Sequence, residues 1–496
     1  MELEFATVKE LKLFDSAVRE QPIEADLVLP EYYPPIGRIL KCFAAPSEEA
    51  VTFAEGRVSV AGAASLRLLY ADGENRLHCF QTETKYTKIL QADCRCEQAA
   101  VRVTQDVRSV ACRALGPKRV EIKASVAVRA ELLGVADHSV VTGADSQVQL
   151  LTQKTECCEP ACVHCREFTD SDTARFEASG RLTAVVSVSA VPLPEKTEAV
   201  SNKLLLRGRT LVTAVCAAED GAVTQVECSV PFSEVLDCYG VSEETDCRVV
   251  FSRCEAEVTL PEDGEGDAEV TVRNKVLIVA SSQKELRCAT DAYTLACEAE
   301  PSFCELAPAR SIAVLTEEEM ISAEAEAEEE AASVQSVFVT DLSWAVSGGP
   351  EGDSAEGTLC FNALCRDAEG RFSLTSRTVT FGHRFSAGIR CVVCEAAVKN
   401  PTGERSSDGK LRFGCALVFT VLTASGERLR MLTGLKEGEK AAAPRQERAV
   451  VYFAEKGERL WDIAKENRTS VEAIRAMNSL TGDVIENDAR LIFSGC

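Results

Sequence analysis

The chain has 496 residues, 46% apolar and 27% charged, a size for about three globular domains and a composition that excludes a disordered chain. Its 78 acidic residues outnumber 54 basic ones, and the net charge of −24 argues against a general nucleic-acid binder or docking on anionic lipid. Four His residues leave little room for His-based metal catalysis.

The N-terminus, MELEFATVKELKLF, is mixed and acidic and lacks the basic and apolar parts of a signal peptide. No run reaches the ~18 apolar residues that span a bilayer. The stretch CALVFTVLTA at 415–424 has strand length. A cytoplasmic protein with no membrane insertion is expected. Its 23 Cys are then mostly reduced thiols that serve as small apolar core residues.

In chain order the pattern is mainly β. RVSVAGAASLRLLY (57–70), VRVTQDVRSVACRAL (101–115) and RVEIKASVAVRAEL (119–132) alternate with period two. Val120, Ile122, Ala124 and Val126 fall on one face, Glu121 and Lys123 on the other, as in an antiparallel sheet with one wet face. ADGEN (71–75) and AEDGA (218–222) are hairpin turns. An internal repeat follows. Residues 57–90, 202–236 and, more weakly, 354–385 share a strand, a Gly, a second strand, an acidic-Gly turn, a third strand and an aromatic. An alternating pair follows each copy: 101–115 with 119–132, 248–260 with 268–280, and 389–399 with 410–423. The turns between these pairs are GPK, EDGEG and TGERSSDG.

This gives a first β domain with an N-terminal extension over 1–136 and a second, with a preamble, over 137–315. An acidic Glu/Ala linker, read as helical, covers 316–334. A third β domain covers 335–433, a flexible linker 434–448, and a different module 449–496. In that module VVYFAEKG is a strand, and Leu460, Ile463 and Ala464 share one face of a helix. Ser470 caps a second helix with Val471, Ile474 and Met477 at the same period, and RLIF (490–493) is a closing strand. Leu460, Ile463, Ile474, Met477 and Leu480 read as core.

Cys158, Cys162, His164 and Cys165 lie close in CCEPACVHC (157–165), but the C-x3-C-x2-C spacing has no matching distal pair. Cys94 and Cys96 form a thiol pair on one strand face. Cys391 and Cys394 lie i, i+3 in a strand, on opposite faces, a poor arrangement for chelation. Inert thiols are the favoured reading; a zinc site and oxidative cross-linking stay as alternatives. No phosphate loop or Gly-x-Ser-x-Gly elbow occurs, and His78, His138, His164 and His383 are scattered. The expectation is a protein that is not an enzyme, with no catalytic residue, cofactor or metal.

Residues 451–493, with a strand ending in Lys-Gly, Leu-Trp-x-Ile-Ala and Val-x-x-Ile-x-x-x-Asn, resemble the LysM module. The resemblance implies a β-α-α-β fold and a shallow groove that in many members binds N-acetylglucosamine polymers. The groove residues would be Gly457, Glu458, Arg459, Leu460, Asn478, Leu480, Asp483 and Ile485. Gly457-Glu458-Arg459 stands where the family usually has Gly-Asp-Thr, and Glu486-Asn487-Asp488 where it has Pro-Gly-Gln. For Asn478, capping and ligand binding are both open.

LPEYYPPIGRILKC (29–42) resembles the opening signature of SPOCS domains of endospore-forming bacteria. Three such repeats and one LysM module are similar to the layout of SipL-like spore coat morphogenetic proteins. The resemblance implies a scaffold for spore coat assembly in the mother-cell cytoplasm at the forespore surface. It implies as partners the coat basement-layer ATPase of stage IV sporulation and other coat proteins. The alternative is a cell-wall protein that binds peptidoglycan or N-acetylglucosamine. The fold expected is mainly β: three tandem antiparallel, sandwich-like domains and a small β-α-α-β LysM domain.

Overall fold

Alternation sends one face of each strand inward, and the sheets pair on those faces. The computed structural model describes residues 2–94, 96, 99–176, 180–261, 267–326, 331–350, 352–386, 388–438 and 448–495. It is built mainly from antiparallel strands. Among the described residues no helix is long and apolar enough to cross a membrane.

Each repeat contributes six strands. The first has β2 (Arg19–Val28), β3 (Arg38–Ala54), β4 (Arg57–Ala71), β5 (Leu77–Gln91), β6 (Ala99–Gly116) and β7 (Arg119–Ala144). The second has β8 (Val148–Ala174), β9 (Leu182–Val200), β10 (Lys203–Ala218), β11 (Val223–Asp237), β12 (Asp246–Thr259) and β13 (Ala268–Thr294). The third has β15 (Ser311–Glu326), β16 (Ala331–Gly349), β17 (Gly352–Asp367), β18 (Phe372–Arg384), β19 (Cys391–Arg405) and β20 (Lys410–Ser425). Strands two to four of each repeat form one sheet; the first strand and the closing hairpin form the other. Val120, Ile122, Ala124 and Val126 are buried, facing Val58, Val60, Leu66 and Leu68 across the first sandwich.

The repeated Gly has a physical role. Gly62, Gly208 and Gly357 lie mid-strand on β4, β10 and β17, register partners of Tyr86, Phe232 and Phe381. Each aromatic ring lies over its glycine: a methyl there would sit 2.7 Å from Tyr86 Cζ, 2.6 Å from Phe232 Cζ and 2.6 Å from Phe381 Cζ. The hairpin tips match too, with Asn75, Gly221 and Gly370 all at positive φ. The three sheets close a ring: β5 lies beside β9, β11 beside β16, and β18 beside β3. Equivalent residues Leu69, Val215 and Leu364 share the core where they meet, with Leu77 and Phe372. Buried polar pairs tie the sandwiches together. Arg102 on β6 binds Glu131 and Glu395, the latter from the third sandwich, and Lys275 on β13 binds Glu48 of the first.

A hub joins the repeats. β1 (Leu3–Asp15) pairs with the C-terminal half of β7, the N-terminal half of β8 pairs with the end of β13, and β14 (Ala299–Leu306) pairs with β21 (Leu429–Glu437). Their cores contain Val8, Val140, Cys157, Leu286, Leu306 and Met431, and Val141, Val148, Ala292 and Leu432.

The helical linker expected over 316–334 is corrected: β15 is a strand along β20, and β16 starts at 331. Ile321, Ala323 and Ala325 enter the core. Glu324 and Glu326 face Arg412 and Lys410 across the pair at 3.1 and 3.8 Å. Tertiary pairing overrides the helix propensity of Ala and Glu. The flexible linker is corrected in part, because 434–437 belongs to β21 and Leu435 is buried. Residues 327–330 and 439–447, and the EDGEG turn at 262–266, lie outside the described residues. Residues 137–200 are no preamble; they hold the end of β7, β8 and β9.

Two thiol readings also change. Cys94 and Cys96 lie in a loop between β5 and β6. A bulge between Cys391 and Val393 sends Val392 and Val393 to one core and leaves Cys391 and Cys394 together on the other face.

Candidate functional site

The C-terminal module starts with β22 (Arg448–Ala454), paired antiparallel with β23 (Ala489–Gly495). Between them run α1 (Leu460–Glu466) and α2 (Val471–Asn478). Leu460, Ile463, Ala464, Ile474, Ile485, Leu491 and Phe493 form its core. Ser470 Oγ accepts from the Ala473 amide at 3.1 Å and caps α2. Met477, expected in the core, is 54% exposed, because the last turn of α2 rotates it outward.

The two groove loops are pinned to each other. Gly457 at φ +97° allows the turn. Its amide donates to Ile485 O at 2.8 Å, the Ile485 amide to Glu458 O at 2.8 Å, and the Leu460 amide to Asp483 O at 2.9 Å. These bonds and the Arg459–Val484 bridge bring Gly457, Glu458, Arg459, Leu460, Asp483 and Ile485 together, and the eight predicted residues play different parts. Gly457, Arg459 and Asp483 are exposed, and Leu480 is half-buried. Leu460 and Ile485 are fully buried under the loops. Glu458 turns away, accepting from Tyr452 OH at 3.0 Å and the Glu455 amide at 2.9 Å. Asp483 is ion-paired with Arg475. Arg459 is the residue before α1, and its side chain caps nothing.

The Asn478 side chain is held within the module. Its Nδ2 donates to Ile474 O and Ile492 O, both at 2.8 Å, and its Oδ1 accepts from the Ile492 amide at 2.7 Å. Both amide donors are committed to the fold.

A second surface of the module was not read from the sequence. Trp461 Nε1 donates to Asp291 Oδ2 at 2.8 Å, and Lys465 Nζ lies 2.7 Å from the same oxygen. Tyr293 OH donates to Thr469 O at 2.7 Å, and its ring meets Trp461 edge-on with centroids 4.9 Å apart. Arg468 reaches Glu298 at 2.9 Å. Asp291 and Tyr293 lie at the far end of β13, so the module is docked on the hub by α1. Burial pushes the Asp291 carboxyl up, but hydrogen bonds from Lys465 and Trp461 outweigh it and hold it below the usual carboxylate range. Trp461 and Lys465, one turn apart, mark one face of α1, but nothing local points to partners 170 residues away.

Elsewhere, strand geometry divides the thiols of 157–165. Cys157, Cys158 and Cys162 enter three different cores, and His164 Nε2 lies 2.8 Å from Tyr239 O. Among the described residues no group of three or more His, Cys, Asp or Glu is placed to hold a metal ion. His383 sits between Glu317 and Glu319 of β15 at 2.9 and 3.0 Å, tying the two sheets of the third sandwich. A cleft of about 910 Å³ beside β1, β7 and β8 is lined by Lys9, Lys12, Asp137 and His138 and contains none of the groove residues.

Residues 454–493 match the LysM domain family. The chain therefore carries a LysM domain at its C-terminus. No curated protein matches the chain.

Proposed function

We propose that the chain is a non-enzymatic adaptor, in which three β-sandwiches and their hub present the LysM domain to a protein partner. The groove carries this reading. Glu458, Asn478 and Asp483 already have partners within the module, and Leu460 and Ile485 are core. Few groups remain for the hydroxyls and acetamides of a glycan. The rim presents Arg459 and the Arg475–Asp483 pair, which suits a charged protein surface. Docking on the hub fixes the groove relative to the sandwiches, so weak contacts from several modules act together.

The likeness of 29–42 and of the repeats to SPOCS domains supports a finer reading. The adaptor would serve endospore coat assembly in the mother-cell cytoplasm, at the forespore surface. Its partners would be the basement-layer ATPase of stage IV sporulation and other coat proteins. The LysM match itself favours a second reading, a protein that binds peptidoglycan.

Co-sedimentation of the full chain with insoluble peptidoglycan separates the two. The adaptor reading expects the wild type in the supernatant, with pelleting gained only when Arg459→Thr restores the family's hydroxyl. Pelleting of the wild type, weakened by Asp483→Lys, would replace it with the glycan reading.

A further inference from the structure

The first sandwich differs from the other two at one contact between its sheets. Cys42 on β3 is the register partner of Leu68, and Cys112 on β6 is the register partner of Ile122. Both thiols pack against the same core. β3 and β6 lie against each other at this place.

Register identifies the same two places in the other repeats. Leu68, Ala214 and Ala363 each stand six residues after the repeated glycine, and their partners are Cys42, Val188 and Val337. Ile122, Val272 and Phe413 are equivalent on the closing hairpins, and their partners are Cys112, Ala256 and Gly403. In the third sandwich a methyl on Gly403 would lie 2.6 Å from Val337 Cγ2, so the two places abut there as well. In the second, Val188 and Ala256 pack against one core. Two repeats fill this contact with Val and a small residue; the first fills it with two thiols.

The geometry points to Cys42 and Cys112 as an oxidisable dithiol, a modification site at which a peroxide staples the two sheets of the first sandwich with a disulfide. Cys112 is half-buried. The neighbouring Cys42 thiol holds the Cys112 thiol below the ordinary range, which favours the thiolate, the nucleophilic form. Burial instead pushes Cys216, Cys247 and Cys254 up to about 12. The Cys112 thiolate attacks one oxygen of hydrogen peroxide; the O–O bond breaks, giving a sulfenic acid and hydroxide. The Cys42 sulfur then attacks the Cys112 sulfur. The S–S bond forms, the S–O bond breaks, and the departing hydroxide leaves as water with the Cys42 proton. The two thiols lose two electrons and two protons in all, and the peroxide is reduced to two waters.

The test treats the full-length protein at neutral pH with hydrogen peroxide, alkylates the remaining thiols and maps peptides by mass spectrometry. The expected product joins the Cys42 peptide to the Cys112 peptide, two hydrogens lighter than their sum, and dithiothreitol reverses it. Because the closed loop constrains the unfolded chain, the thermal midpoint of the first sandwich should rise by about 5 °C or more. A Cys42→Val/Cys112→Ala protein copies the side chains of the second sandwich. It should fold with the midpoint of the reduced wild type and show no rise with peroxide. Oxidation of other thiols without the 42–112 link, or an equal rise in the double variant, would overturn the proposal.

Discussion

Replacing Asp291 by Ala should release the LysM domain from the hub. The change removes the acceptor of the Trp461 indole, at 2.8 Å, and the partner of Lys465, at 2.7 Å. The Lys465 side chain is 40% exposed and that of Asp291 24%, so solvent screening leaves this ion pair worth about 1 kcal/mol or less. Stranding the indole N–H costs more. Trp461 is buried, and a buried donor left without an acceptor costs about 1–3 kcal/mol. Together the loss is about 1–4 kcal/mol, which for so small a module moves the melting midpoint by about 5 °C or more. The chain has two Trp, so in a Trp344→Phe background Trp461 fluorescence reports on this module alone. A midpoint shift under about 2 °C would refute the docking argument. The pH dependence has a definite sign. The folded-state carboxyl of Asp291 lies below its ordinary value. Its contribution is therefore present above the unfolded value of about 3.9 and is lost as pH falls through the folded value. The gap between variant and wild type should stay constant from pH 7 to about 5 and close in stronger acid.

Gly208→Ala places a methyl 2.6 Å from Phe232 Cζ and 2.9 Å from Pro194 Cα, and should destabilise the second sandwich by about 1–3 kcal/mol in urea unfolding. Arg102→Leu leaves Glu395 without its cation and Glu131 with Arg129 alone, at 2.9 Å. It should cost about 3–5 kcal/mol in the same assay, with part of the loss recovered by adding Glu395→Gln. Arg459→Thr supplies the missing cap of α1 and should stabilise the module by about 0.5–1 kcal/mol, read from Trp461 fluorescence during denaturation.

The LysM segment was legible because its determinants are local: Gly457 at a turn, Ser470 at a cap, and apolar residues at helical spacing. The repeats were legible through the glycine and its aromatic, since the register that covers Gly62 with Tyr86 recurs at Gly208 and Gly357. The hub was not, because its strands come from several parts of the chain and include run-on halves of β7, β8 and β13. The strand at 311–326 was hidden by composition: its alternation is present at Ile321, Ala323 and Ala325, but Ala and Glu also favour helix. Within the groove, spacing located the loops, whereas the commitments of Asn478 and Glu458 depend on β23 and β22 and needed the fold.

The most direct measurement of the adaptor account is the affinity of the full-length chain for the purified basement-layer ATPase, by biolayer interferometry, against a chain carrying Arg459→Glu and Asp483→Lys. The account predicts saturable binding by the wild type and a loss of about tenfold or more on reversing the two rim charges. Absence of binding, or equal binding by both chains, would contradict it.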